Sequence, residues 1–196
     1  MKNQLKYLVA FLFMLSVGSH ASAQLDIQAG INNSSLSFNI DGISLGTGSV
    51  IGFHAGANYM SKVGNSLYIV PGVLLSQKGA SFDFDFGLGS TEAKLSSMYL
   101  DIPIMLHYQS NAEKGFFIQG GPNLGFLLSA SSEGEDVKEG YNSLELALGV
   151  GAGYDLGQFK LGLRMNIGLS NIAADTEGED GSVNHRVLQI FGAYKL

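Results

Sequence analysis

The chain has 196 residues, a net charge of −6, no Cys and no Trp. Length points to one domain. Only 14% of residues are charged, against about 25% in an average soluble protein. Zero Cys excludes a disulfide scaffold and thiolate metal or redox chemistry, and the acidic balance excludes the basic footprint of a nucleic-acid partner.

The first 23 residues read as an address. Lys2 and Lys6 form a basic start, Tyr7 to Leu15 an apolar run, and Ala21-Ser22-Ala23 a small-x-small site. That order predicts a secretory signal peptide over 1–23, cleaved before Gln24. The run is too short for a membrane helix, and no Cys follows for lipidation. Loss of two lysines takes the net charge from −6 to −8.

Residues 24–196 read as eight amphipathic strands, because successive strand side chains point to opposite faces. In chain order they are Leu25–Asn32, Ile51–Met60, Leu67–Lys78, Tyr99–Tyr108, Phe116–Leu128, Leu144–Asp155, Phe159–Ser170 and Val187–Leu196. Phe159, Leu161, Leu163, Met165, Ile167 and Leu169 share one face; Lys160, Gly162, Arg164, Asn166, Gly168 and Ser170 share the other. Leu144–Asp155 repeats this with Leu, Val and Tyr opposite Glu145, Ala147, Gly149, Gly151, Gly153 and Asp155. Leu67–Lys78 is apolar on both faces in its middle.

An eight-stranded barrel has an interior just wide enough for side chains. Rows of Leu, Ile and Phe would overfill it, so the apolar face should point outward into lipid. The fold class expected is therefore all-β, an eight-stranded antiparallel transmembrane up-and-down barrel over 24–196. Closure satisfies every strand edge, as lipid demands. The connections alternate: short at Ser61–Ser66, Gln109–Gly115 and Asp155–Gln158, long at 33–48, 79–95, 129–143 and 171–186. That pattern matches short periplasmic turns and long extracellular loops. At the turn end, outward Tyr59, Tyr108, Phe116, Tyr154, Phe159 and Tyr194 should form an aromatic girdle at the headgroups.

Five motifs in order carry a family resemblance. They are Pro71 with Ser76-Gln77-Lys78-Gly79; Tyr99-Leu100-Asp101-Ile102-Pro103-Ile104; Gly120-Gly121-Pro122-Asn123-Leu124-Gly125-Phe126-Leu127-Leu128; Gly149-Val150-Gly151-Ala152-Gly153-Tyr154; and Arg164-Met165-Asn166-Ile167-Gly168-Leu169-Ser170-Asn171. The chain resembles the outer-membrane β-barrel family common in Bacteroidetes, the porin-family or PorT-like proteins. It departs from the family pattern at Gly72, where an acidic residue is usual, and at Leu196, where an aromatic one is. The resemblance implies a Gram-negative outer-membrane location and a terminal strand read by the barrel-insertion machinery. It implies no single activity, since fold does not give function. A structural or loop-mediated binding role is the reading, with transport or secretion accessory as the alternative.

The candidate chemistry is sparse. Asp26, Lys78, Asp101, Glu145, Lys160, Arg164 and Lys195 fall on the inward face. Buried charges must be paired, so these form either a salt-bridge network filling the lumen, the favoured reading, or a proton or solute path. His54 and His107 also face inward, and His185 sits in a loop, with no metal-ligand spacing around them. No Gly-x-Ser-x-Gly elbow or ordered Ser/His/acid set occurs, so no catalytic, cofactor or metal residues are assigned and the protein is read as non-enzymatic. Gly149, Gly151 and Gly153 alternate on one strand face and make room inside, rather than cradle phosphate. Two loops are acidic, with Glu133, Glu135, Asp136 and Glu139, and with Asp175, Glu177, Glu179 and Asp180; their spacing fits a solvated face rather than a calcium loop. Phe82, Phe84 and Phe86 alternate with Asp83 and Asp85, which predicts a hairpin extended above the membrane and open to a protein partner by strand addition. Besides that partner, the expected contacts are outer-membrane lipid and the insertion machinery.

Overall fold

A computed structural model describes residues 24–40, 43–85, 90–111, 114–173 and 181–196. The expected leader at 1–23, Phe86 and the acidic residues Asp175, Glu177, Glu179 and Asp180 lie outside the described residues.

Ten strands form one sheet: β1 Gln24–Ile40, β2 Ile43–Gly46, β3 Val50–Lys62, β4 Leu67–Asp85, β5 Ser90–Gln109, β6 Gly115–Ser132, β7 Glu135–Asp136, β8 Leu144–Asp155, β9 Phe159–Gly168 and β10 Gly181–Lys195. Neighbours pair antiparallel in chain order, and β10 returns to pair β1 from Asp26↔Lys195 to Ile40↔Gly181. The two short strands β2 and β7 fold back on β1 and β6. The other eight close an up-and-down barrel, so every wall strand is paired on both edges.

Side-chain alternation sets the two faces. Outward Ile27, Ile31, Phe53, Leu106, Ile118, Leu148, Leu161, Leu163 and Ile190 are exposed, while inward neighbours such as Gln28, Asn32, His54, His107 and Gln189 are buried. The outward apolar residues form a band. On β4 it runs from Ile69 through Val73 to Leu75 and gives way to Gln77; on β10 it runs from Tyr194 through Leu188 and gives way to exposed Arg186. Each run is seven residues, and seven tilted residues cover most of a band about 25 Å tall. The strands then continue beyond it.

That continuation differs from the sequence expectation. The expected long connection 79–95 is mostly a ladder: β4 and β5 stay in register from Gln77↔Met98 to Asp85↔Ser90. Likewise β1 runs on to Ile40 and β6 to Ser132, where Glu133 (φ 54°) and Gly134 (φ 89°) turn the chain into β7. Outside lipid a hairpin needs no apolar outer face, so Ser-rich and acidic stretches carry strand without the alternation that marks it. A bulge also falls inside β6: Met98 pairs Ser129 and Tyr99 pairs Leu127. Leu128 is the extra residue, so Leu128 and Ser129 both point outward while Leu127 and Ala130 are buried.

The interior is more apolar than a Gly, Asn, Gln and ion lining. Tyr68, Leu74, Tyr99, Met105, Phe117, Leu127 and Phe191 all turn inward and are buried. Inward glycines make space for them. A Cβ on Gly162 would meet the rings of Phe191 and Phe117, one on Gly153 would meet Phe117, and one on Gly149 would lie 2.7 Å from Met105 Cε. Large side chains from one wall therefore fill the notches left by the other, as close packing requires.

Candidate functional site: the filled lumen and its outer plug

At the loop end the lumen is capped by an apolar cluster of Leu36, Ala80, Leu95 and Ile172, with Phe38, Phe82, Val137, Tyr141 and Val183 packed against it. Ile172, Val137 and Tyr141 come from the connections, so the loops turn their greasy residues into the mouth. Backbone bonds hold them there: Asn142 N–H donates to Ile172 O at 2.8 Å, Ile172 N–H to Val183 O at 2.9 Å, and Val137 N–H to Ala130 O at 3.0 Å. The Asn142 amide adds bonds to Asn171 O at 3.1 Å and Ala173 O at 2.8 Å.

Beneath this plug lies a dry cluster of charge. Lys78 Nζ donates to Asp101 Oδ1 and to Glu145 Oε2, both at 2.9 Å, and sits 4.4 Å from the centre of the Tyr99 ring. His185 Nδ1 lies 3.2 Å from Glu145 Oε1, and the ring packs edge-on against Tyr99 at 5.6 Å. All five side chains are buried. Low dielectric strengthens each attraction and makes each unpaired charge costly.

The middle tier is neutral and hydrogen-bonded. Asn32 donates to Ser76 Oγ at 3.0 Å and Gln77 O at 2.8 Å. Its carbonyl oxygen accepts from Gln189 at 3.1 Å and faces His54 Nδ1 at 2.7 Å, which makes that nitrogen the donor. Gln189 in turn accepts from Asn166 at 2.9 Å. Four strands are tied together through one asparagine.

The lower tier returns to charge. Lys160 Nζ donates to Asp26 Oδ2 at 2.6 Å, and Lys195 pairs Asp155 at 2.6 Å near the turn-end mouth. Arg164 differs from the other interior cations. It packs 5.2 Å from the Phe191 ring centre, and with the Gln119 amide oxygen turned toward it, Nε and Nη2 each donate at 3.2 Å. No described carboxylate lies within ion-pair distance of it. His107 stacks on Phe117 at 4.7 Å.

Thus six of the seven inward charges named from sequence fall into ion pairs, and Arg164 into an amide and aromatic contact. Two members of the clusters were missed. Asp155 ends its strand on the inward face, a position the alternation already marks. His185, which the sequence pattern assigns to a loop, is inward on β10, because that strand begins earlier than its apolar pattern. The six outward aromatics lie at the turn end, five of them on the successive neighbours β5, β6, β8, β9 and β10 and Tyr59 apart on β3; Phe116 pairs Tyr154 and Phe159 pairs Tyr194, with those last two rings 5.0 Å apart. Among the described residues no group of three or more His, Asp or Glu could hold a metal.

A family model, described as outer membrane protein beta-barrel domain, matches residues 18–174. The chain belongs to that family of outer-membrane β-barrels. Solved structures of similar fold include Ail, the attachment invasion locus protein of Yersinia pestis, in complex with the heparin analogue sucrose octasulfate (15% identity, TM-score 0.48, 89% of this chain and 99% of that one). OprG from Pseudomonas aeruginosa matches at 13% identity and TM-score 0.47, over 91% and 98% of the two chains. AlkL, solved in lipid bilayers, matches at 16% and 0.37, over 92% and 94%. No curated protein matches the chain. Membership in the family places this barrel in the outer membrane.

Proposed function

We propose that this outer-membrane barrel is non-enzymatic and works through its extracellular end, as a structural element or by presenting loops to a protein partner. The observation that carries this reading is the plug of Leu36, Ala80, Leu95 and Ile172 above a packed, ion-paired lumen. A barrel so filled gives solutes no aqueous path, while the strands that overshoot the lipid band hold the loops on a rigid stem. Charge supports it too: segments 33–48, 79–95, 129–143 and 171–186 carry twelve of the seventeen acidic residues and three of the eleven basic ones. A lipid-directed Ser–His pair would face the membrane, whereas His54, His107 and His185 are buried in the lumen.

On this reading the pairs made by Asp26, Lys78, Asp101, Glu145, Lys160 and Lys195 are a network that fills the barrel, and the turn-end aromatics are its headgroup girdle. The leader 1–23 is removed before Gln24, and the insertion machinery reads the last strand. A source in Bacteroidetes and a PorT-like role in secretion rest on the five sequence motifs alone.

Planar-bilayer recording and partner capture test the proposal together. The purified barrel should give no stable, size-selective pores, and deletion of 80–92 should remove an outer-membrane partner from a pull-down. Stable pores would overturn the closed-lumen reading. An unchanged partner set would remove the hairpin from the binding role, and co-purification with a secretion complex would favour the accessory role.

A further inference from the structure

Among the described residues the inward Lys, Arg, Asp and Glu balance over the whole lumen but not within its two ends. Beneath the plug, Lys78 faces two carboxylates, Asp101 and Glu145, with His185 beside the second. Toward the turn end, Lys160, Lys195 and Arg164 share only two, Asp26 and Asp155. The hydrogen-bonded tier of Asn32, His54, Asn166 and Gln189 lies between. The spare cation is Arg164, which has no described carboxylate within ion-pair distance.

That cation borders a hole. A cavity of about 20 Å³ inside the lumen is lined by Arg164, Gln28, Lys160 and Asp26 among others. Arg164 is 4% exposed, and a guanidinium has five N–H donors. The Gln119 oxygen takes two of them, at Nε and Nη2, and the others find no acceptor among the described residues. Gln28 is 1% exposed. Its Oε1 accepts from Asn58 at 2.8 Å, while its Nε2 has no partner. Two buried side chains that line one small space thus have donors to spare. The lining also holds an acceptor without a partner, Asp26 Oδ1, whose companion oxygen is held by Lys160.

We propose that this cavity is a binding site for one small inorganic monovalent anion, of the halide class. The Arg164 guanidinium and the Gln28 amide donate to it, and its charge matches the excess at this end of the lumen. Volume sets the class. A water needs about 10–15 Å³, so the space takes a single halide and is too small for sulfate, phosphate or an organic carboxylate. Charge decides between a halide and a water: a buried cation without a counter-charge is costly, and water neutralises none of it. Asp26 opposes the anion, which keeps binding weak and gives the test its sign. The occupant lies on the lumen side of the wall, where these side chains point, and is enclosed as the barrel closes. A lumen with one bound ion still offers no path, so this site and the loop role can fail separately.

The full mature chain would be refolded into zwitterionic detergent in sodium chloride, and at the same ionic strength in sodium gluconate, whose anion is too large for the cavity. Unfolding read by gel mobility should need more urea in chloride, with a gain that saturates as chloride rises. Arg164→Gln keeps an amide but no charge and should unfold at the same urea in both salts. Asp26→Asn removes the repulsion and should lower the half-saturating chloride about tenfold. Crystals grown in bromide should show an anomalous peak between Arg164 and Gln28. Equal urea midpoints for the wild type in the two salts, an undiminished chloride gain in Arg164→Gln, or unchanged half-saturation in Asp26→Asn would each overturn the proposal. Density without anomalous signal would overturn it as well, because the occupant would then be a water.

Discussion

Lys160 on β9 reaches past β10 to Asp26 on β1, 134 residues earlier, and donates to its carboxylate at 2.6 Å. Both side chains are buried. Replacing Lys160 with Met removes the cation but leaves Asp26 in the same dry place. Losing one partner of a buried pair costs about 3–5 kcal/mol. The Lys160→Met barrel should unfold at clearly lower urea in detergent, read by heat-modifiable gel mobility. Adding Asp26→Asn should recover most of the loss, because no bare charge then remains. A double variant as weak as the single one would show that packing against Met60, 3.1 Å from the ammonium, matters more than charge.

Gly162 and Phe191 test the filling of the lumen by size. The three atoms nearest a Cβ at 162 are all ring atoms of Phe191 and Phe117. Gly162→Ala alone overpacks the core, a change that typically costs about 1–3 kcal/mol. Phe191→Leu alone leaves a void beside Arg164. Together they should be less harmful than their sum, with a coupling of about 1 kcal/mol in a double-mutant cycle. Simple additivity in urea melts would place the ring and the glycine in separate packing units.

The transmembrane part was legible because lipid forces a rule on every residue: apolar outward, small or polar inward. Leu161, Leu163 and Ile190 obey it, and so do Gln28, Asn32 and Arg164. The rule weakens where lipid ends. Ser35, Ser37 and Asn184 on β1 and β10 carry no alternation, yet they stay in the ladder through Ser37↔Asn184. Inside the barrel the rule says which residues face the axis but not which of them meet. Lys78 takes two carboxylates, from β5 and β8, and Arg164 has none within ion-pair distance among the described residues. Such a choice depends on register around the whole closed sheet, which periodicity in one strand does not contain.

Ile172 tests whether the plug folds as a unit separate from the wall. Its side chain is fully buried among Leu36, Ala80 and Leu95, while its backbone belongs to a loop. Ile172→Ala should cost about 2–5 kcal/mol of local packing. The loss should fall on the cap, because the band below keeps all its pairs. Hydrogen exchange at residues 133–143 and 169–173 should speed up, while β8 and β9 stay protected and the gel shift stays native. Equal loss of protection in β8 and β9 would mean that plug and wall form one cooperative unit.

The absence of tryptophan makes orientation directly measurable, since a single introduced indole has no background. On β10, Tyr194 stands at the turn end, Ile190 in the middle of the outward face, and Arg186 beyond its apolar residues. Each is exposed, so an indole at any of the three needs little repacking. In bilayers of lipids brominated at chosen depths, Ile190→Trp should be quenched most by bromines deep in the acyl chains. Tyr194→Trp should respond best to shallow bromines, as a ring at headgroup level does. Arg186→Trp should emit at longer wavelength and respond weakly to both. A common depth for the three would mean that β10 lies along the membrane rather than through it. Weak quenching at all three would mean that this face does not meet lipid, and the band of Leu, Ile and Phe would then require another apolar partner to cover it.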